Sequence, residues 1–99
     1  MTETIKVIIP AYNEAKSIGK VIKALPSFVN EIIVVDNCST DETAINAQKL
    51  EATVLKEIKS GYGNACLKGV NYINEQKTRT DIVVFIDGDH HYDAVKRDT

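Results

Sequence analysis

The strongest constraint on the fold of this 99-residue chain is a regular alternation of short apolar runs with helical patterns. Runs rich in β-branched residues are typical of strands buried on both faces of a parallel sheet, and they cover residues 5–9, 31–35 and 81–86, with a weaker run at 53–55. Apolar spacing typical of amphipathic helices fills the intervals, over residues 14–25, 41–50 and 64–73. The order βαβαβαβ predicts one α/β domain over residues 1–99, a three-layer Rossmann-like sandwich with a mainly parallel sheet.

Composition and charge narrow the classes of partner. The net charge of -2 argues against a nucleic-acid binder, because polyanion binding needs a basic patch, so a small-molecule partner is expected. No apolar run approaches the length of a membrane span or has the form of a signal peptide, which predicts a cytoplasmic protein. Cys38 and Cys66 have no metal-type spacing and are interpreted as reduced packing residues without a functional role.

Folds of this class bind ligands beyond the carboxyl ends of their strands, so the segments that follow the strands are the candidate sites. In Pro10-Ala11-Tyr12-Asn13-Glu14, the proline is expected to end the first strand and the glutamate to begin a helix. This segment is either a rigid turn alone or one in which the tyrosine also packs against a nucleobase. After the second strand, Asp36 either accepts hydrogen bonds from a nucleobase or belongs to a turn, and in both cases Ser39 and Asp41 cap the next helix.

The segment that leads into the third helix is rich in glycine. Gly61 and Gly63 would let backbone N–H groups and a helix N-terminus approach a diphosphate. The pattern is not the dinucleotide-binding fingerprint, because Cys66 stands where the third glycine would be and the segment does not follow the first strand. We therefore expect no dinucleotide cofactor.

The last apolar run ends in two carboxylates one residue apart, Asp87 and Asp89. Oxygen ligands at this spacing suit Mg²⁺ or Mn²⁺, which would bridge to the phosphates of a nucleotide and neutralise a diphosphate leaving group. The alternative is a purely structural Asp-Gly-Asp turn. His90 and His91 follow directly and either join the metal site or form a polar turn.

Taken together and in order, these segments resemble the donor-site motifs of inverting GT-A glycosyltransferases of family 2. The motifs are Pro-Ala-Tyr-Asn-Glu, Val-Val-Asp-Asn-Cys-Ser-Thr-Asp-Glu-Thr, Gly-Tyr-Gly-Asn-Ala and Phe-Ile-Asp-Gly-Asp. The ordered set is far more specific than any one segment, and the resemblance covers essentially the whole chain. It is strongest to the polyprenyl-phosphate members, which are similar to dolichyl-phosphate mannosyltransferase.

The resemblance implies a role for each motif in binding a UDP- or GDP-sugar. It assigns base reading to Asp36 and binding of nucleotide and divalent metal to Asp87 and Asp89. The acceptor would be a polyprenyl phosphate or a glycan, and transfer would proceed with inversion. The family's carboxylate base lies beyond the Asp-x-Asp region, so no catalytic residue is identified in this chain. The residues implied to line the nucleoside pocket are Pro10, Ala11, Tyr12 and Glu14, and those implied to lie near the donor are Gly61, Gly63 and Ala65.

The chain departs from the family pattern in two places. Asn37 replaces a second acid often found after the second strand, an exchange that is tolerated if Asp36 makes the base contact. Residues 92–95 stand where a proline usually follows the Asp-x-Asp turn, and the tail is unlike the family's next elements. We therefore expect a truncated domain that lacks the acceptor region, has a bare edge at its last strand and self-associates. A full-length form would be peripheral to the membrane.

Two other functions are compatible with parts of the sequence. One is a nucleotide-binding or self-associating module without transfer chemistry. The other is a haloacid-dehalogenase-like phosphatase, in which the first Asp of an Asp-x-Asp pair is a nucleophile. Those enzymes have Thr or Val two residues after the second Asp, where this chain has His91.

Overall fold

The computed structural model describes residues 3–88, and over them the predicted βαβαβαβ order is confirmed. The strands are β1 Ile5–Ala11, β2 Glu31–Asp36, β3 Thr53–Lys56 and β4 Ile82–Phe85. The helices are α1 Ile18–Ala24, α2 Thr43–Lys49 and α3 Tyr62–Glu75. Each strand pairs in parallel with its neighbours in the order β3-β2-β1-β4. Because β4 returns to the far side of β1, a topological switch point lies between these two strands.

The sheet is covered on its two faces by different helices, which confirms the predicted three layers. One apolar cluster joins β1 and β2 to α1 and α2, and the other joins their opposite faces to α3. Gly69 of α3 sits against Ile8 so closely that an added Cβ would lie 2.8 Å from that side chain. Burying an Ile or Val side chain contributes roughly 1.5–3 kcal/mol, so these two layers supply the main stabilisation of the fold.

Strand β4 differs from the prediction that all the strong apolar runs are buried on both faces. All of its side chains are exposed, from 36% for Ile82 to 44% for Phe85. The physical reason is position: β4 pairs only with β1 among the described residues, and α3 packs over β1 and β2 instead. The predicted bare edge at this strand is therefore confirmed within residues 3–88.

The ends of several elements also differ from the predicted bounds. Pro10 does not end β1, which continues to Ala11, and Pro10 pairs with Val35 of β2. Because a proline has no N–H, Pro10 cannot donate a hydrogen bond to β4, the other neighbour of β1. The pairing of β4 with β1 ends before it, at Phe85 and its register partner Ile8. Helix α1 begins at residue 18 rather than 14, because residues 14–17 form a turn.

Candidate functional site

A cavity of about 450 Å³ opens at the carboxyl ends of β1, β2 and β4, beside the N-terminus of α3. This is the edge of the sheet where the sequence predicts a ligand site. Most of the predicted site residues meet there, but Asp36 and Gly63 are not in its wall, and Asp89, His90 and His91 lie outside the described residues. The residues that line the cavity are Pro10, Ala11, Tyr12, Glu14, Asn37, Cys38, Ser60, Gly61, Tyr62, Ala65, Asp87 and Gly88.

The segment after β1 is held by side chains that follow β2. Asn13 has a left-handed backbone, with φ of 52°, and its N–H donates to Ser39 Oγ at 2.9 Å. The N–H of Ala15 donates to Asp41 Oδ2 at 3.2 Å. Ser39 thus fixes the loop after β1 instead of capping α2 as predicted. Asp41 joins that loop to α2, because its Oδ1 also accepts the N–H of Thr43, but the N-cap of α2 is Glu42 and it has no side-chain cap bond. These bonds leave the Tyr12 side chain 58% exposed at the cavity.

Asp36 ends β2 but lies behind the cavity wall. The residue is only 3% exposed, its Oδ1 accepts the N–H of Ser39 at 3.2 Å, and its Oδ2 is 3.7 Å from the ammonium of Lys56. The next residue, Asn37, reaches the wall instead. The polar residue that meets the cavity after β2 is therefore one position later than predicted.

Two further wall residues, Cys38 and Tyr62, were missed from the sequence. Cys38 has φ of 69° and an exposed thiol, so the prediction that it is a packing residue is wrong. Tyr62 begins α3 after Gly61, whose φ of 120° strongly favours glycine. The pKa of the Tyr62 phenol is raised by burial, by its contact with Cys66 and by the negative charge of Asp87.

The Asp-Gly turn after β4 is packed tightly against the end of β1. The N–H of Gly88 donates to the carbonyl oxygen of Pro10 at 3.3 Å, and its own carbonyl accepts from Ser17 Oγ at 2.9 Å. A Cβ at Gly88 would lie 3.1 Å from both Ala11 Cβ and Glu14 Cγ. The backbone that carries Asp87 is therefore fixed, while the Asp87 carboxylate is exposed in the cavity wall.

The charged residues in the described wall of the cavity are all acidic. The wall residues within 3–88 include the carboxylates of Glu14 and Asp87 and no lysine or arginine. An anionic ligand would be repelled by such a wall unless a cation accompanied it. Within the described residues, no three acidic, histidine or cysteine side chains converge as a complete metal site. Asp87 thus offers one carboxylate ligand of the kind that Mg²⁺ and Mn²⁺ prefer.

No helix within residues 3–88 combines the length and the apolar character that crossing a bilayer requires.

Comparison with known sequences finds the family model for glycosyl transferase family 2 matched by residues 6–94. An uncharacterised glycosyltransferase of Mycobacterium tuberculosis is 38% identical over 92 residues, covering 93% of this chain and 39% of that relative. Protein RfbJ of Shigella flexneri is 40% identical over 92 residues, covering 91% of this chain and 67% of that protein. The chain therefore spans 39% of the first relative and two thirds of the second.

Solved structures of one enzyme are similar to this chain in both fold and sequence. Glucosyl-3-phosphoglycerate synthase from M. tuberculosis in complex with uridine diphosphate aligns with a TM-score of 0.74 and 35% identity, over 90% of this chain and 35% of that one. Its complex with Mn²⁺, uridine diphosphate and glucosyl-3-phosphoglycerate gives a TM-score of 0.71 and 35% identity, over 87% and 33% of the two chains. A further complex contains Mg²⁺ and uridine diphosphate. The metals in these neighbours are the two that the sequence of this chain predicts.

Proposed function

The chain belongs to glycosyl transferase family 2, and on that premise we propose that it binds a uridine-diphosphate sugar and a divalent metal as the donor-binding part of a glycosyltransferase. The observation that carries this proposal is the cavity at the carboxyl ends of the strands, whose wall holds an exposed carboxylate on a fixed backbone together with exposed aromatic side chains. The match to one family over residues 6–94 leaves the phosphatase interpretation without support.

The nucleoside is proposed to bind against Tyr12 and Tyr62. Both side chains line the cavity and are more than half exposed, at 58% and 57%. Aromatic faces stack on nucleobases without regard to the base, so selectivity for uracil must come from polar groups near them. Asp36 is proposed to contribute to that selectivity through the loop that it holds at Ser39.

The diphosphate is proposed to bind through the metal and the glycine segment. The described wall offers no side-chain cation, so a divalent ion held by Asp87 would supply the charge that a diphosphate needs. Such an ion neutralises the charge that develops on the leaving diphosphate during sugar transfer. Asp89 remains the proposed second ligand. Gly61, Gly63 and Ala65 are proposed to lie near the donor at the start of α3, where Gly61 and Ala65 line the cavity.

We propose two candidate classes of acceptor, and a transfer assay can distinguish them. The resemblance to polyprenyl-phosphate members favours a polyprenyl phosphate, and the solved neighbour favours a phosphorylated small acid, since its complexes contain phosphoglyceric acid. Inversion at the anomeric carbon stays a prediction of the resemblance. Transfer assays with UDP-glucose and each acceptor, in a chain that contains the whole catalytic domain, distinguish the two.

Thermal unfolding with nucleotides tests the donor proposal. We expect UDP with Mn²⁺ to raise the melting temperature more than GDP or ADP, and a chelator to abolish the difference. A ligand at a hundred times its Kd stabilises a folded protein by about 2.7 kcal/mol, which is readily measured. The proposal fails if no nucleoside diphosphate shifts the transition when Mn²⁺ is present.

The exposed edge of β4 is proposed to mediate self-association of the 99-residue chain. Unpaired backbone groups beside apolar side chains favour edge pairing, and lysine on an edge strand opposes it. We expect Val84→Lys to lower the average mass in sedimentation at micromolar concentration. Ile45→Lys, which changes an exposed apolar residue on α2, should leave it unchanged. A monomeric parent chain would remove this proposal.

A further inference from the structure

We propose that Asn37 is a positioning residue for the donor site: its side-chain amide holds residues 57–61 in place as a wall of the cavity. A carboxylate at the same position could not make the two donor bonds of this amide. The binding test of this proposal rests on the proposed function, because it measures the affinity for UDP with Mn²⁺. The hydrogen-exchange test needs no ligand.

The geometry assigns three hydrogen bonds to this one amide. Nδ2 donates to the carbonyl oxygens of Glu57 and Lys59 at 3.0 and 2.8 Å. Oδ1 accepts the N–H of Gly61 at 2.9 Å. Asn37 is 7% exposed, and its own N–H donates to the carbonyl of Ala11 at 2.8 Å. An amide offers two N–H donors, and both are used here, so no other side chain of this size and shape serves equally.

The held segment contributes directly to the cavity. Ser60 and Gly61 are wall residues, and Tyr62 follows as the first residue of α3. Between residues 58 and 61, the described bonds to the end of β2 come from Asn37, supplemented by a weak contact from the Cys38 thiol to Ile58. Where α3 begins, and therefore where its tyrosine stands, depends on the Asn37 amide.

An aspartate at this position would reverse the chemistry. A carboxylate only accepts hydrogen bonds, so its second oxygen would face the carbonyl oxygens of Glu57 and Lys59 without a proton between them. Asp36 shows the opposite arrangement, since its carboxylate meets an N–H and the ammonium of Lys56. These partners explain why an acid, Asp36, is followed by an amide, Asn37, at the end of β2. The exchange is thus more than a tolerated replacement of a second acid.

The test is the variant Asn37→Asp, compared with Asn74→Asp, which makes the same charge change on an exposed position of α3. At neutral pH we expect Asn37→Asp to weaken binding of UDP with Mn²⁺ by about tenfold, which corresponds to loss of one to two net hydrogen bonds. Asn74→Asp should bind like the parent chain.

A pH profile separates positioning from a general loss of stability. Protonation gives the carboxyl group introduced by Asn37→Asp one O–H donor, so the affinity ratio of parent to variant should fall as the pH is lowered through the pKa of that group, which is ordinarily about 3.9. Other ionisable groups are the same in both chains, so their titration cancels in that ratio apart from the shifts that the introduced charge causes in its neighbours. Those on the surrounding elements are Tyr12, Glu14, Asp36, Cys38, Lys56, Glu57, Lys59, Tyr62 and Asp87. A ratio near one at every pH, with a parent chain that binds UDP, would overturn the proposal.

Amide hydrogen exchange tests the same contact without a ligand. In the parent chain the N–H of Gly61 should exchange more slowly than that of Gly63, which lies in the first turn of α3 where no intrahelical acceptor is available. Equal exchange of the two would overturn the proposal even if the variant failed to fold. If the parent chain binds no nucleotide but Gly61 is protected, the donor proposal fails and the positioning contact stands.

Discussion

The two ends of the sheet both concentrate polar side chains, yet they use them differently. At the amino ends of the strands, one set of residues bonds almost entirely to itself, and we call it the amino-end network: Lys6, Glu31, Thr53, Tyr72, Gln76 and Thr78. At the carboxyl ends, backbone groups are held by side chains while Tyr12, Tyr62 and Asp87 stay exposed around a cavity. A cluster whose partners are internal stabilises the fold, and one whose side chains stay exposed at a cavity is available to a ligand.

The amino-end network shows how complete this internal pairing is. Lys6 is 4% exposed, and its ammonium donates to Gln76 Oε1 at 2.7 Å beside Glu31 Oε1 at 3.7 Å. Burial alone would raise the pKa of Glu31, but hydrogen bonds from Tyr72, Thr53 and Gln76 and the charge of Lys6 outweigh it and lower that pKa. The carboxylate is therefore stabilised in its charged form by the fold.

The largest expected effect is on this network. Glu31→Gln leaves the buried ammonium of Lys6 without its counter-charge, so we expect a loss of about 2 kcal/mol in the free energy of unfolding. Denaturant unfolding measures it. Binding of UDP with Mn²⁺ should be unchanged at a temperature where the variant is folded, and a large loss of affinity would contradict the separation of the two ends.

Acid should remove the same contribution. The pKa of Glu31 lies below its ordinary 4.5 in the folded chain, so the carboxylate stabilises the fold fully at pH values above about 4.5 and loses this effect as the pH falls through the lowered pKa. The stability difference between the parent and Glu31→Gln should therefore be constant near neutral pH and shrink in acid. If the stability difference between the two chains grew in acid, it would contradict the lowered pKa of Glu31.

At the other end, Gly88→Ala should weaken both folding and binding. Its Cβ would lie 3.1 Å from Ala11 and Glu14, so the turn must move and carry Asp87 with it. We expect a loss of about 1 kcal/mol in stability and a few-fold weaker binding of UDP with Mn²⁺. Gly19→Ala is the control, because its nearest neighbour is Leu50 Cδ1 at an ordinary 3.7 Å. Equal affinities of the two variants would argue against a fixed turn.

The smallest effect is expected at Asp36. An asparagine keeps an oxygen for the N–H of Ser39 and loses only the pair with Lys56, whose side chain is 73% exposed, so stability should change by less than about 1 kcal/mol. We expect Asp36→Asn to alter the preference among UDP, GDP and ADP by about twofold, through the loop at Ser39. Competition binding measures this preference, and an unchanged one would remove Asp36 from base selection.

The order of elements and the location of the cavity could be predicted, because buried β-branched runs and strand-end polar residues are local signals. These signals predicted Asp87 and Tyr12, which line the cavity. Tyr62 could not be, since its place in the wall depends on long-range bonds from Asn37 to residues 57–61. Cys38 could not be either, since it is turned towards the cavity by a left-handed backbone with φ of 69°. The bare edge of β4 was expected, but the exposure of its side chains was missed, because its apolar sequence is that of a strand buried on both faces and only its place in the sheet leaves it uncovered.

Calorimetric titration of UDP with Mn²⁺ into two variants of one strand tests the central claim most directly. Asp81 and Asp87 flank β4 at opposite ends, and Asp81 bonds internally, to the N–H of Thr4 at 2.7 Å and to Arg79 at 2.8 Å. We predict that Asp87→Asn weakens metal-dependent binding by at least about tenfold while melting like the parent chain. Asp81→Asn should lower the melting temperature and bind normally. If Asp87→Asn bound UDP with Mn²⁺ as tightly as the parent chain, the assignment of the metal and donor site to the carboxyl end of the sheet would be wrong.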